Sequence, residues 1–202
     1  MQVQLKNCRF NYIHTLKKRA FDGDEAGAKY STTLLLEDGS DEMEQMEQAI
    51  TEMAKDKWGA KAPGVLKKLR RDDHLCLKNG EGKLDKNGEI VAGFEGHYYI
   101  NASNRDAPHT LNKYKQKITL ETESGFTGER KGPYSGSYGC ALVSLWIQDN
   151  KWGQRVNCQL DAIMFLREGD PLGGSGGVSL EGAVNAFAGL GEDPKDASLF
   201  ED

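Results

Sequence analysis

The segments "YGCALVSLWIQ" (138–148) and "GQRVNCQLDAIMFL" (153–166) decide the fold, because both alternate apolar and polar residues with the period of a β-strand. Side chains that lie opposite each other in an antiparallel pair share one face of the sheet. The two apolar sets therefore coincide only if the numbers of opposite residues sum to an odd number. A four-residue loop at 149–152, which pairs Gln148 with Gly153, satisfies this condition, whereas a five-residue loop does not. The inner face of the predicted hairpin carries Ala141, Val143, Leu145, Ile147, Val156, Cys158, Leu160, Ala162 and Met164.

The outer face of this hairpin is predicted to carry aromatic rings, a guanidinium group and amides. Tyr138 and Trp146 lie on it, and Trp152 lies at the tip of the loop. The alternative is that Trp146 is covered by a loop or by a helix, in which case its ring is not available to a ligand. The facing pairs that the four-residue loop predicts are Trp146 with Arg155, Ser144 with Asn157, and Leu142 with Gln159.

Three further strands are predicted before the hairpin, at 3–14, 28–37 and 96–103, from their β-forming composition and their alternation. The polar, glycine-containing stretch between the first two is predicted to be a loop, and residues 60–95 are predicted to be rich in loops. A fold of about five strands with one main helix is predicted to be mainly β (α+β). This pattern fits the five-stranded barrel called the OB-fold.

The main helix is predicted at 41–58. Ser40 can cap its first turn, and Gly59 supplies its stop. Acidic residues in the first turn and lysines in the last turn suit the helix dipole. The apolar residues that recur at helical spacing are Met43, Met46, Ile50, Met53 and Ala54.

The net charge of −5 is concentrated at the end of the chain. Residues 181–202 contain six acidic residues and one lysine, so this segment carries −5 and residues 1–180 sum to zero. The stretch "PLGGSGGVSLEGA" (171–183) has the composition of a flexible linker. We therefore expect an OB-fold domain at 1–172 and a disordered, acidic C-terminal tail at 173–202. The tail residues expected to contact a partner are Asp196, Leu199, Phe200, Glu201 and Asp202.

Flat rings beside cations are what a protein needs to bind single-stranded nucleic acid. Each base offers a face for stacking and a phosphate beyond it, and stacking contributes about 1–3 kcal/mol per base. Basic clusters occur at 17–19, 61–71 and 113–117, and aromatic residues fall on the predicted strands. The candidate DNA-binding residues are Tyr12, Lys17, Lys18, Arg19, Lys67, Arg70, Arg71, Tyr99, Asn101, Arg105, Lys115, Lys131, Tyr138, Trp146, Trp152 and Arg155.

Other functions have weaker support. The four cysteines are far apart in the sequence, which indicates reduced thiols rather than a zinc site, and no metal or cofactor is expected. No nucleophile elbow, P-loop or zinc-protease motif is present, so we expect no enzyme. A nuclease would depend on magnesium ligands such as Asp72, Asp73 and Asp85. A structural or assembly protein, in which the tail is the active part, is the remaining alternative.

The sequence also predicts where the protein works. It contains no run of about 18 apolar residues, so no membrane association is expected. The first residues lack the apolar region of a signal peptide, which favours an intracellular protein.

Three stretches carry a resemblance to a known family: "GHYYINASN" (96–104), "YSGSYGCALVSLWIQDN" (134–150) and "LREGDPLGG" (166–174). They resemble the phage-encoded single-stranded DNA-binding proteins of the T7-like kind, and in particular a family first described as a domain of unknown function. The resemblance implies an OB-fold and sequence-independent binding and protection of single-stranded DNA. The setting it implies is phage replication and recombination, in the cytoplasm of the infected bacterial host.

The same resemblance implies an acidic tail that recruits phage or host replication and recombination proteins and competes with DNA for the basic groove. The chain departs from the usual pattern, since Glu201 and Asp202 follow Phe200 instead of the chain ending on the phenylalanine. A partner pocket that grips a terminal phenylalanine carboxylate is therefore in doubt. The residues do not choose between a monomer and a dimer, or between single-stranded DNA and RNA.

Overall fold

The computed structural model describes residues 1–21, 23–119 and 132–172 of the chain. Contacts divide the chain into two units, Met1–Leu172 and Gly173–Asp202, and all described residues belong to the first. The predicted acidic tail and Lys131 lie outside the described residues.

Seven strands and two α-helices form the described part of the chain. Their bounds are β1 (Gln2–Phe21), β2 (Asp24–Glu37), α1 (Asp41–Trp58), α2 (Ala62–Arg71), β3 (Leu77–Asn79), β4 (His97–Asn104), β5 (His109–Leu111), β6 (Tyr138–Asn150) and β7 (Gly153–Arg167), with short 3-10 turns at Gly59–Lys61 and Gly80–Gly82.

Five of the strands close into a barrel in the order β1-β2-β4-β7-β6. All neighbours in this ring are antiparallel except β4 and β7, which meet in parallel where Ser103 lies opposite Gln159. The side-chain amide of Asn104 reinforces this closure by donating a hydrogen bond to the carbonyl of Leu160 at 2.9 Å. Strands β3 and β5 extend the sheet beside β4 and β7. The predicted OB-fold barrel with one main helix is confirmed.

The interior of the barrel is filled by apolar residues from alternate positions of the strands. α1 packs against β1, β2 and β6 and contributes Met46, Ala49, Ile50 and Ala54 to this core. Its predicted bounds are confirmed. The hydroxyl of Ser40 accepts a hydrogen bond from the backbone N–H of Met43 at 3.3 Å, and Gly59, with φ of 55°, ends the helix.

Two regions predicted as loops contain regular structure. β1 and β2 run far beyond the predicted strands and form a long hairpin arm, in which Arg19 lies opposite Lys29. This arm has no apolar alternation because most of its side chains are exposed. The prediction of loops at 60–95 is wrong at α2, where Pro63 suits the first turn and Leu69 is buried.

The β6–β7 hairpin has the predicted face pattern but a shorter turn. Asn150 lies opposite Gly153, so the turn is the two residues Lys151 and Trp152, and the four-residue loop is wrong. The numbers of opposite residues still sum to an odd number, because the register has moved by two residues. Trp146 therefore lies opposite Asn157 instead of Arg155. The facing pairs are now Gln148 with Arg155, Ser144 with Gln159, and Leu142 with Ala162.

A register shift between Leu142 and Val143 changes the inner face farther from the turn. An extra residue on β7 reverses the alternation there, so Ile163 and Phe165 are buried. The prediction that Ala162 and Met164 point inward is therefore wrong, since both are only half-buried.

Candidate nucleic-acid interface

A cleft of about 520 Å³ crosses the outer face of the barrel where β4, β6 and β7 meet. We call it the β4–β7 cleft. The segment after α2 borders it, because Leu75 forms a parallel bridge with Val156 and the Val156 N–H donates to the carbonyl of His74 at 3.1 Å. Four of the predicted DNA-binding residues line this cleft: Asn101, Arg105, Trp146 and Arg155.

Trp146 presents its ring on the cleft wall and is 48% exposed. The alternative in which a loop or a helix covers this ring is thereby excluded for the described residues. Opposite it on β7, the side-chain nitrogen Nδ2 of Asn157 is buried, and no group of the described residues accepts a hydrogen bond from it. The exposed ring can stack on one flat group, and the neighbouring amide nitrogen is a donor without a partner among the described residues.

Cations surround this ring and amide. Arg105 and Arg155 line the cleft with Lys29 and Lys78, and Lys78 is paired with Asp73 at 2.6 Å. Because exposed guanidinium and ammonium groups attract phosphate, the rim of the cleft suits a polyanion lying along it.

The β1–β2 arm adds further cations at one end of the cleft. Arg19 lies opposite Lys29 in the ladder, which places Arg19 beside the cleft, whereas Lys17 of the same predicted cluster lines a different groove with Thr110 and Tyr134. Lys18 Nζ lies 5.4 Å from the centre of the Tyr30 ring. Arg19 donates to the ring nitrogen Nε2 of His14 at 3.1 Å. Burial and the charge of Arg19 lower the pKa of His14, which favours the neutral ring that accepts this bond.

Tyr12 lies at a register shift of β1 and has φ of 47°, in the left-handed region that a tyrosine rarely adopts. The side-chain oxygen of Asn11 accepts a hydrogen bond from the Tyr12 N–H at 2.9 Å and holds this conformation. The ring is 43% exposed and lies 6.4 Å from that of Phe94. Asn11, Thr33 and Asn101 are opposite one another on three neighbouring strands, so β1 lies about 10 Å from the cleft residue Asn101.

Trp152 occupies the tip of the β6–β7 hairpin and is 76% exposed. The hairpin is anchored to the body, because the indole nitrogen of Trp58 at the end of α1 donates to the carboxylate of Asp149 at 2.7 Å. Lys151 Nζ lies 5.2 Å from the Trp152 ring centre. The tip of the hairpin thus carries one more exposed ring and one more cation, beyond Trp146 along β6.

Three predicted residues are not brought to the cleft. The Tyr99 ring is buried, packs edge-on against Phe94 at 5.1 Å, and offers no exposed face for stacking. Tyr138 lies eight residues from Trp146 along β6, about 26 Å away, and the guanidinium groups of Arg9 and Arg167 lie over its ring. Lys115 is also remote. The β5 strand that precedes its turn pairs with β7 around Ile163, about 26 Å along the strand from Arg155.

The cations of α2 line a different groove. Lys67, Arg70 and Arg71 face the space between α1 and α2, and two of them have carboxylate partners. Arg70 pairs with Glu47 at 3.0 Å, and Arg71 pairs with Asp72 at 2.9 Å.

Sequence reasoning missed Lys29, His74 and Lys78 as cleft residues. Lys29 falls at the start of the predicted strand 28–37, and nothing in the sequence indicates that this strand borders a cleft. His74 and Lys78 reach the cleft only through the bridge between Leu75 and Val156, which joins residues far apart in the sequence.

The cysteines and loop carboxylates serve local structure. All four cysteines are free; Cys8, Cys76 and Cys158 are buried. Burial raises the pKa of the Cys76 thiol to about 12. The candidate magnesium ligands are engaged elsewhere: Asp72 with Arg71, Asp73 with Lys78, and Asp85 with the backbone of its own turn. The described residues contain no group of three His, Cys, Asp or Glu that could hold a metal ion.

A closed five-stranded barrel with rings, amides and cations on one outer face defines an OB-fold protein of the nucleic-acid-binding class. The family described as "Enterobacter phage Enc34, ssDNA-binding protein" matches residues 1–196. The chain belongs to this family, and the resemblance seen in the sequence is confirmed.

Individual relatives are distant but similar along most of their length. The protein p50 of Acyrthosiphon pisum secondary endosymbiont phage 1 is 26% identical over 186 residues, which cover 90% of this chain and 91% of that protein. The single-stranded DNA-binding protein of bacteriophage Enc34, solved in complex with ssDNA, has a TM-score of 0.60 and 23% identity, over 85% of this chain and 89% of that one. Its C-terminal truncation has a TM-score of 0.62 and 24% identity, with 85% and 88% covered. These structures share the fold of the chain.

Proposed function

We propose that this chain binds single-stranded DNA without regard to sequence, with bases in the β4–β7 cleft. The observation that carries the proposal is the half-exposed Trp146 ring beside the unbonded Asn157 amide, flanked by Arg105 and Arg155. Membership of a family described as ssDNA-binding supports the same function. The Enc34 protein, which has the same fold, was solved in complex with ssDNA.

The proposed path of the strand follows from the charges. One base stacks on Trp146, and the exposed amides of Asn101 and Gln159 meet base edges of any kind, because an amide both donates and accepts. Phosphates lie along Arg105, Arg155 and the cations of the β1–β2 arm. Tyr12 and Trp152 lie beyond the two ends and extend the stacking surface.

The test is a titration of a fluorescein-labelled oligo-dT at several salt concentrations. Three to six cations on the path predict that the logarithm of the affinity falls with the logarithm of the salt concentration at a slope of about −2 to −4. Arg155→Ala should make this slope shallower by about 0.7, whereas Lys115→Ala, a control at the far end of the barrel, should not change it. Absence of binding at low salt contradicts the proposal, and equal binding of oligo-U shows that DNA is not preferred.

We propose that binding involves no catalysis and serves to protect single strands during phage replication and recombination in the host cell. The carboxylates that a nuclease would need are held in ion pairs and turns, which supports a binding role. In the described part of the chain, neither α1 nor α2 has the length and hydropathy of a membrane span. Incubation of labelled oligo-dT with the protein and magnesium should leave the strand uncut.

We also propose that 1–172 is the DNA-binding domain and that 173–202 is an acidic tail that competes with DNA and recruits replication or recombination proteins. Support comes from charge, since the segment 181–202 holds the whole net charge of −5. Deletion of 181–202 should tighten binding of oligo-dT, because the acidic competitor is removed. Unchanged or weaker binding after the deletion refutes the competition.

A further inference from the structure

A second groove, of about 630 Å³, separates α1 from α2 and adjoins the β4–β7 cleft at Leu75, which lines both. We call it the α1–α2 groove. Its floor is apolar: Ile50, Ala62, Leu75 and Leu77 are buried beneath it, and Leu66 is half-buried at its side. A space of this size lies within the range of about 300–1,000 Å³ that ligand sites occupy.

The border of the groove is strongly cationic. Four exposed basic side chains line it, namely Lys55, Lys67, Arg70 and Arg71, against the single carboxylate of Glu47. The Arg70–Glu47 pair is solvent-exposed, so its partners can exchange at little cost. Within the described residues, no carboxylate lies within ion-pair distance of Lys55 or Lys67.

This chemistry differs from that of the β4–β7 cleft. No aromatic ring is among the described residues that line the α1–α2 groove, so a base would find cations here but nothing to stack on. An apolar floor with a cationic border instead matches a ligand that is both acidic and apolar. Clusters of arginine and lysine recognise acidic peptide motifs in this way, and the floor supplies pockets for bulky side chains.

We infer that the α1–α2 groove is a docking site for an acidic peptide segment of another protein molecule, anchored by adjacent bulky apolar side chains. The carboxylates of the peptide pair with Lys55, Lys67 and Arg71, and its apolar side chains pack against Leu66 and Ile50. The cations of α2 then serve protein recognition, and not the DNA contact that their sequence cluster predicts.

The sequence of this chain supplies a peptide with the required chemistry. Residues 192–202 read "EDPKDASLFED", in which acidic residues flank Leu199 and Phe200. A fluorescein-labelled peptide of this sequence, added as a separate molecule to the complete chain, is the probe. Saturable binding measured by anisotropy is the expected result. A peptide with Leu199→Ser and Phe200→Ser should bind about tenfold more weakly, because its apolar anchors are lost.

The protein offers a matched pair of variants. Lys67 lines the groove, whereas Lys68 is the next residue of the same helix, is also exposed and does not line it. Lys67→Glu should weaken peptide binding about tenfold, because it removes an attraction and adds a repulsion. Lys68→Glu should change it less than about twofold. Neither variant should change the affinity for oligo-dT by more than about twofold.

Four results overturn the inference. The first is the absence of saturable peptide binding to the complete chain. The second is an equal loss of peptide affinity in Lys67→Glu and Lys68→Glu, because the peptide is then attracted only by the general charge of the helix. The third is equal affinity of the two peptides, since the apolar floor then plays no part. The fourth is loss of oligo-dT binding on Lys67→Glu with displacement of the peptide by oligo-dT, which makes the groove a nucleic-acid site. If the unmodified protein does not bind oligo-dT, the proposed function is refuted but the inferred docking site is not.

Discussion

Replacing Trp146 with alanine tests the proposed DNA path at its centre. The ring is 48% exposed on the wall of the β4–β7 cleft, so one part packs on the barrel and the rest is available to a ligand. A ring held in this way can stack on one base, and loss of one base stack costs about 1–3 kcal/mol. At about 1.4 kcal/mol for each factor of ten, the dissociation constant should rise about 5- to 150-fold.

The assay is the anisotropy of a fluorescein-labelled oligo-dT, because the substitution removes the intrinsic fluorescence of Trp146 itself. Trp146→Phe should keep most of the affinity, since a smaller ring still stacks. Tyr114→Ala is the control, because Tyr114 is 71% exposed in the turn after β5, far from the cleft.

The expected slope of affinity against salt is unchanged in Trp146→Ala, because no cation has been removed. Thermal unfolding should show that the variant folds, since most of the core lies on the opposite face of β6. If a folded Trp146→Ala binds oligo-dT as tightly as the unmodified chain, the ring does not stack on a base and the proposed path is wrong.

Three further predictions concern the barrel itself. Gly80→Ala should destabilise the fold by about 1–3 kcal/mol, because a Cβ there would clash with backbone carbonyl oxygens, whereas Gly82→Ala in the same turn meets open space and should cost much less. Urea unfolding of the two variants measures the difference, and equal stability would contradict the packing around Gly80. With Ellman's reagent at about pH 8, only Cys140 should react in the folded protein, because the other three thiols are buried and burial raises the pKa of Cys76 to about 12; prompt reaction of two or more thiols would contradict this. The lowered pKa of His14 means that the unfolded chain binds its proton more readily than the folded chain does. The contribution of His14 to the free energy of unfolding should therefore be complete above about pH 6.5 and should fall below it. Urea titrations at about pH 7.5 and about pH 5.5 measure the loss of stability between the two, and His14→Asn should make this loss smaller. An unaltered pH dependence in His14→Asn would refute the assignment.

Much of the fold follows from short-range pattern. Ser40 and Gly59 mark the two ends of α1, because an N-cap hydroxyl and a glycine at positive φ are local signals. The alternation in β6 and β7 decides which residues share a face, and this part of the prediction is confirmed. Alternation restricts the turn only to an even number of residues. The choice of two residues and the register shift between Leu142 and Val143 do not follow from alternation.

The candidate site shows the same division. The sequence by itself determined the supply of rings and cations, the barrel that presents them, and the concentration of the net charge in 181–202. Only the tertiary structure decided which of them meet. Arg105 and Trp146 share a cleft because β4 closes on β7, whereas Tyr99 is lost to the site because Phe94 packs on its ring. Contacts of this kind join residues far apart in the chain, and no local periodicity encodes them.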